Sequence, residues 1–299
     1  MRSSIQLQPT LQQLNGVLLG KEDQIRLALT CLLAGGHLLL EDLPGMGKTT
    51  LAEALARCFN LQFQRLHFTN DLLPADLTGI SVLDPAKGSF RFQPGPLFCQ
   101  VLLADEINRA SPRTQSALLE AMASGRVSVE RTTHVLPQPF VVIASQNGLD
   151  QSGTSPLPES QLDRFLMRLS LGFPDRAAEA AMLNGDHAHL EQLQALLGPA
   201  DLLTAQQEVQ TVYTSRALID YVLDLVHASR QSQAGLSPRA SKALITAAKA
   251  WAYLRGNSVV TPDDVQAVFS AVAEHRLDGG QRRSALISTT ILEQVDGIR

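Results

Sequence analysis

Short unbroken apolar runs alternate with helical apolar spacing through the first half of the chain; after Phe173-Pro174 only the helical spacing continues. Ile25, Leu29, Leu32 and Leu33 predict a helix over 22–34, closed by Gly35-Gly36. Residues 37–41 form an apolar run before a glycine-containing loop and predict a buried strand. Leu51, Ala54, Leu55 and Cys58 resume the helical period over 48–59. Residues 62–68 alternate weakly and predict a second strand. The stretch 70–97 is rich in Pro, Gly and Asp, with a hairpin expected over 80–92. A buried strand follows at 98–104. Ser111 is a helix N-cap, Pro112 suits the first helical position, and the helix runs to Ser124 with Gly125 as its C-cap. A second hairpin is expected at 126–136 and another buried strand at 140–145. Strands separated by helices, apolar on both faces, predict an α/β fold with a parallel sheet covered on two sides.

Beyond 174 the pattern is helical. Leu218, Tyr221, Val222, Leu225 and Val226 share a face, as do Leu244, Ala247, Ala248, Trp251 and Leu254. Thr261-Pro262-Asp263-Asp264 is a helix start, followed by Val265, Val268, Phe269 and Val272 on one stripe. A domain boundary is expected near 174, giving domains 1–174 and 175–299.

Composition agrees with two globular domains. The 299 residues are 44% hydrophobic and 18% charged, which excludes a disordered tail, a collagen repeat and a coiled-coil rod. The net charge of −4 argues against a protein that holds nucleic acid through phosphate neutralisation. The N-terminal stretch lacks a signal-peptide pattern, and no apolar run is long enough to span a membrane, so a soluble cytoplasmic protein is expected. Cys31, Cys58 and Cys99 fit no disulfide or zinc spacing and read as buried hydrophobes. His187 and His189 lack further metal ligands nearby and read as solvated. Arg282-Arg283 reads as a solvated end, and Met122 and Met182 as core.

Pro44, Gly45, Met46, Gly47, Lys48, Thr49 and Thr50 make a candidate phosphate-binding loop between strand and helix. Gly47, Lys48 and Thr49 fit the P-loop pattern, but Asp42 occupies its first glycine position. Gly45 and Gly47 let backbone amides approach a phosphate, and the following helix points its N-terminus at that anion. Lys48 would contact β- and γ-phosphates, and the Thr49 hydroxyl would bind Mg2+. A second carboxylate is needed, and the apolar run at 101–104 ends in Asp105 and Glu106. Strand alternation sets these acids on opposite faces. Asp105 can then support the metal while Glu106 polarises a water near the γ-phosphate. The strand at 141–145 ends in Gln146 and Asn147; either amide could hold that water, with Asn147 preferred. Arg164 and Arg239, taken without further context, read as solvated surface arginines. Arg239 falls at a helix N-terminus, where a cation opposes the dipole unless an anion is its partner.

These stretches, taken in order, resemble a MoxR-type AAA+ ATPase. The matching segments include Asp71-Leu72-Leu73-Pro74-Ala75-Asp76-Leu77-Thr78-Gly79, Asp105-Glu106-Ile107-Asn108-Arg109-Ala110, Ser145-Gln146-Asn147, Pro156-Leu157-Pro158-Glu159, Leu162-Asp163-Arg164-Phe165 and Ser237-Pro238-Arg239-Ala240. The resemblance implies an αβα nucleotide domain followed by a smaller all-α lid, with ATP held between lid and core and between subunits of a ring, usually a hexamer. It implies Lys48 and Thr49 as Walker A, Asp105 and Glu106 as Walker B, and Asn147 as sensor 1. It implies Arg164 as an arginine finger on the neighbour's nucleotide and Arg239 as sensor 2, reaching the γ-phosphate from the lid. Val17 and Gly20 fall where the family contacts adenine. The segments at about 76–92 and 126–136 correspond to the helix-2 insert and the pre-sensor-1 hairpin, which line the ring face or pore in related motors. The family also implies chaperone-like remodelling or metal insertion on protein clients, with a von Willebrand A-domain partner.

Three other readings compete. A small-molecule phosphotransferase would need an acceptor pocket and leaves Arg164 without a role. A magnesium-chelatase-like or nucleic-acid motor would use the same branch of the fold, and the acidic charge disfavours DNA. A nucleotide-binding scaffold with a dead site conflicts with the intact set of Lys48, Asp105, Glu106 and Asn147.

Overall fold

Five parallel strands lie side by side in the order β2-β5-β8-β1-β9. They are β1 (Leu38–Glu41), β2 (Phe63–His67), β5 (Val101–Asp105), β8 (Val141–Gln146) and β9 (Met167–Leu169). The computed structural model describes residues 7–86, 88–130, 132–147, 155, 157–231, 235–279 and 286–297. Pro156, Arg282 and Arg283 lie outside them.

Alternation along the strands sorts side chains into two cores. Leu38, Leu40, Leu103 and Ile143 enter one core with α1 (Leu7–Val17), α2 (Glu22–Leu33) and α3 (Lys48–Cys58). Leu39, Leu102, Ala104, Val142 and Ala144 enter the other, with Leu118 and Leu119 of α5 (Pro112–Ser124). The three thiols are buried and free, and burial pushes each up to about 12, so they behave as apolar groups.

Two antiparallel hairpins pair outside the main sheet. After α4 (Pro74–Thr78), β3 (Gly79–Asp84) pairs with β4 (Ser89–Pro94), and after α5, β6 (Arg126–Val129) pairs with β7 (Thr132–Val135). The end signals at α5 form as expected: Ser111 Oγ accepts from the Thr114 N–H, and Gly125 adopts φ 63°.

After α6 (Glu159–Leu162) and β9, the named elements are helices: α7 (Arg176–Asn184), α8 (Pro199–Gln210), α9 (Arg216–Arg230), α10 (Pro238–Leu254), α11 (Pro262–Leu277) and α12 (Ile287–Gln294). Residues of α8 to α11 join the same apolar cluster as α1, α2 and α3, so the first core runs unbroken from the sheet into the helical half. None of the described helices is long and apolar enough to cross a membrane.

Besides the short helices α4 and α6, two elements escape the sequence pattern as read above. Helix α1 is one, although Leu7, Leu11 and Leu14 carry a helical spacing and are buried. Strand β9 is the other, because three residues are too few to show a period.

Candidate functional site

Parallel pairing brings the C-terminal ends of β1, β5 and β8 to one edge of the sheet, where α/β folds bind ligands. The loop after β1 turns on Gly45 at φ 85° and Gly47 at φ 89°, a region that side chains rarely enter. A Cβ on Gly45 would meet open space, so conformation rather than crowding requires glycine there. Lys48 opens α3 and is buried. Its ammonium donates to the carbonyls of Asp42 at 2.7 Å and Leu43 at 3.0 Å, and to Asn147 Oδ1 at 3.2 Å. Thr49 and Thr50 are half-buried at the helix start, and Pro44 is exposed. Beside the loop lies a cavity of about 560 Å³, within the usual range for a small-molecule site. Val17, Gly45, Met46, Gly47 and Thr50 line it from the sheet side, and Phe173, Glu179, Met182 and Leu183 from the start of the helical half. Gly20 sits beneath α7, where a Cβ would come within 2.9 Å of Ala178 Cβ.

The two acids are positioned differently from the strand-alternation expectation. Strand β5 ends at Asp105, and Glu106 is left-handed at φ 57° and ψ 47°. Alternation therefore does not govern Glu106; a strained turn does. Its backbone N–H donates to Ser145 Oγ at 3.0 Å, and its Oε1 accepts from Asn147 Nδ2 at 2.6 Å. Its Oε2 pairs with Arg109 Nε at 2.6 Å and lies 3.4 Å from His67 Nε2. Asp105 accepts from Ser145 Oγ at 2.5 Å and from Arg65 Nη2 at 2.6 Å. Burial raises the Asp105 carboxyl, but the Ser145 and Arg65 hydrogen bonds and the neighbouring charge outweigh it and hold it below the usual range. An ionised oxygen donor at the end of β5, on the sheet edge that carries the phosphate loop, suits Mg2+, which takes one or two protein ligands and completes its shell with phosphate and water. Among the described residues no cluster of three His, Cys, Asp or Glu side chains could hold a metal alone.

The two amides after β8 part company. Asn147 bridges Lys48 and Glu106. Gln146 turns away and donates to Glu41 Oε1 at 3.1 Å. Glu41 in turn meets Arg168 at 3.4 Å, and Arg168 pairs with Asp278 at 2.5 Å. Gln146 therefore belongs to the tie between β1, β9 and the end of α11, not to the site.

Arg164 and Arg239 share a different cavity of about 410 Å³, along with Lys242 and Arg276. Arg164 donates to the Leu119 carbonyl at 3.0 Å, and Arg239 lies 3.6 Å from Asp163. Neither lines the cavity beside the loop. Arg239 lies in the first turn of α10, which packs on α2, α8 and α11, and its cavity is also lined by Gly35, Gly36 and His37, at the end of β1 opposite the phosphate loop. Met182 also departs from expectation. It is 49% exposed and not core, because α7 lies over the cavity mouth and buries only Ala178.

Sequence reasoning missed Arg65, His67, Arg109 and Ser145 as neighbours of the acids. Ser145 and Arg109 sit within quoted motifs, and Arg65 and His67 share a face of β2 beside β5 by the period of two. His37 also went unassigned. Its Nδ1 accepts from the Val142 N–H at 3.0 Å and its Nε2 donates to the Met122 carbonyl at 3.2 Å, so it ties the sheet to the end of α5. Burial lowers it to about 4, although the Met122 bond opposes that shift.

Comparison with known proteins agrees with this geometry. Residues 37–167 match the ATPase family associated with various cellular activities (AAA), and residues 226–295 match the AAA lid domain. The chain is 44% identical over 272 residues to the uncharacterized protein YeaC of Bacillus subtilis, an alignment covering 89% of this chain and 85% of that one. It is 36% identical over 283 residues to the chaperone MoxR1 of Mycobacterium tuberculosis, covering 91% and 75%. A solved structure of a candidate ATPase from Cytophaga hutchinsonii has a TM-score of 0.88 at 33% identity, covering 99% of this chain and 96% of that one. Similarity of this extent, running through the loop, both strand ends and the helical half, places the chain in the MoxR family of AAA+ ATPases.

Proposed function

We propose that ATP binds with its phosphates on the loop 43–49, and that a second copy of the chain completes the hydrolytic site. Lys48 neutralises charge on the β- and γ-phosphates. Thr49 and Asp105 would hold Mg2+, which supplies charge neutralisation at the phosphates when bound. Glu106 accepts a proton from the attacking water, and Asn147 holds that water without adding charge. The observation that carries this reading is the chain of contacts from Lys48 through Asn147 to Glu106, because it joins the phosphate end of the site to its base. Val17 and Gly20 stay on the base side of the cavity.

Arg164 and Arg239 serve the neighbouring subunit's nucleotide together. Their shared cavity supports this: four cationic side chains line it, together with Asp163, whose carboxylate pairs with Arg239 and Arg276. An anion brought by another subunit would balance them. The assembly is then a ring, with six copies as the family expectation. Domain 1–174 acts as the nucleotide-binding core and 175–299 as the lid. The ring drives chaperone-like remodelling, maturation or metal insertion of protein clients alongside a von Willebrand A-domain partner, in keeping with the chaperone-named relative.

The test is ATP hydrolysis per subunit over a wide range of protein concentration, with Glu106→Gln alongside. A specific rate that climbs and saturates supports completion between subunits. Glu106→Gln is expected to bind ATP and to lose turnover by on the order of 10²-fold to 10⁴-fold. A rate independent of concentration would remove the ring from the reading, and normal turnover by Glu106→Gln would remove Glu106.

A further inference from the structure

Asp42 stands where the P-loop pattern has glycine, and the hydrolytic reading leaves its carboxylate without a task. It is 4% exposed. Its Oδ1 accepts from Ser170 Oγ at 2.7 Å and from the Gly172 N–H at 3.1 Å, and its Oδ2 accepts from the Leu171 N–H at 2.5 Å. Its carbonyl accepts from Lys48 Nζ. One residue thus meets the phosphate-binding lysine with its main chain and three consecutive residues with its side chain. Residues 170–172 begin the strap from β9 to α7. Lys21, 6% exposed, holds the next peptide of the strap by donating to the Gly172 carbonyl at 3.0 Å.

The strap and α7 need such anchoring. Helix α7 buries only Ala178, yet with the strap it supplies Phe173, Glu179, Met182 and Leu183 to the cavity beside the loop. Apolar packing alone is too sparse to fix that wall. A buried carboxylate is costly unless its oxygens are hydrogen-bonded, and the strap furnishes three donors. Glycine at 42 would leave the Leu171 and Gly172 amides without these acceptors.

We propose that Asp42 is a positioning residue that holds the strap and α7 against the phosphate loop, and so sets the base-side wall of the nucleotide cavity. The proposal rests on the reading of that cavity as the nucleotide site. It makes the grip on phosphate separable from the grip on the base.

Calorimetric binding of Mg-ATP and of inorganic tripolyphosphate with Mg2+ tests it, on the full chain and on Asp42→Asn and Ser170→Ala. Ser170→Ala removes one donor and serves if Asp42→Asn folds poorly. The expected result is ATP affinity weaker by about tenfold in Asp42→Asn and by a few-fold in Ser170→Ala, with tripolyphosphate within about twofold of wild type in both. Amide exchange at Leu171 and Gly172 should quicken in Asp42→Asn. Equal losses for the two ligands would make Asp42 a part of the phosphate loop alone and overturn the proposal. Faster exchange with unchanged ATP affinity would overturn it too, since the strap would have loosened without consequence. Wild-type protein that binds neither ligand would overturn the reading of the cavity itself, and the proposal with it.

Discussion

Asn147 donates from Nδ2 to Glu106 Oε1 at 2.6 Å while its own Oδ1 accepts from Lys48 at 3.2 Å. Glu106 makes this contact from a left-handed backbone one residue past the end of β5. Asn147→Ala is expected to lower kcat by on the order of 10²-fold, the scale for a misplaced proton acceptor. Steady-state ATPase assays check this, and an unchanged kcat would take the water-holding role from Asn147.

Arg164 and Arg239 face a cavity apart from the phosphate loop, so their loss should spare nucleotide binding. Arg164→Ala is expected to cost on the order of 10³-fold in turnover. Mixing Arg164→Ala with Lys48→Ala should restore part of the rate, because some interfaces then pair an intact loop with an intact arginine. No recovery on mixing would place the defect within one chain.

Arg65 pairs with the Asp105 oxygen at 2.6 Å and is half-exposed. A guanidinium there competes with a divalent cation for the same carboxylate. Exposed pairs are worth up to about 1 kcal/mol, so Arg65→Ala should lower the Mg2+ concentration for half-maximal ATPase by up to about fivefold. A Mg2+ titration of both proteins measures it, and a higher requirement in the variant would show that Arg65 orients Asp105 instead.

His37 is neutral where it sits, with a folded value of about 4 against an ordinary 6.5. The unfolded chain therefore binds more protons between those values, and stability falls as pH falls from about 6.5 to about 4. Between pH 7 and pH 5.5 the His37 share of that loss is about 1 kcal/mol. Urea unfolding at the two pH values should show a smaller drop in His37→Gln than in wild type. Equal drops would assign the dependence to other groups. His275, also lowered by burial, acts in the same direction.

Much of this protein is written locally. The helix over Pro112–Ser124 begins and ends where a serine, a proline and a glycine sit, because caps act over one turn. The buried strands are legible because both faces are covered, which makes their runs apolar throughout. The loop residues Gly45, Gly47 and Lys48 and the acids after β5 are legible because phosphate and metal chemistry demands those residue types beside a strand end.

Other features depend on contacts that no local pattern carries. Asp42 reads as a broken motif until the fold brings residues 170–172 to its carboxylate, well over a hundred positions away in the chain. Gln146 and Asn147 are adjacent amides, and only the strand pleat and the partners on each side send one to Glu41 and the other to Glu106. Met182 has core spacing, yet α7 lies on a cavity mouth and leaves it exposed. Arg164 and Arg239 belong to separate elements until α10 packs on α2 and α11 and closes a cavity around both. The sequence by itself determined the elements and the chemistry at the strand ends, since spacing and residue type suffice for those. The tertiary structure decided which of these groups meet, because that depends on which distant surfaces are buried together.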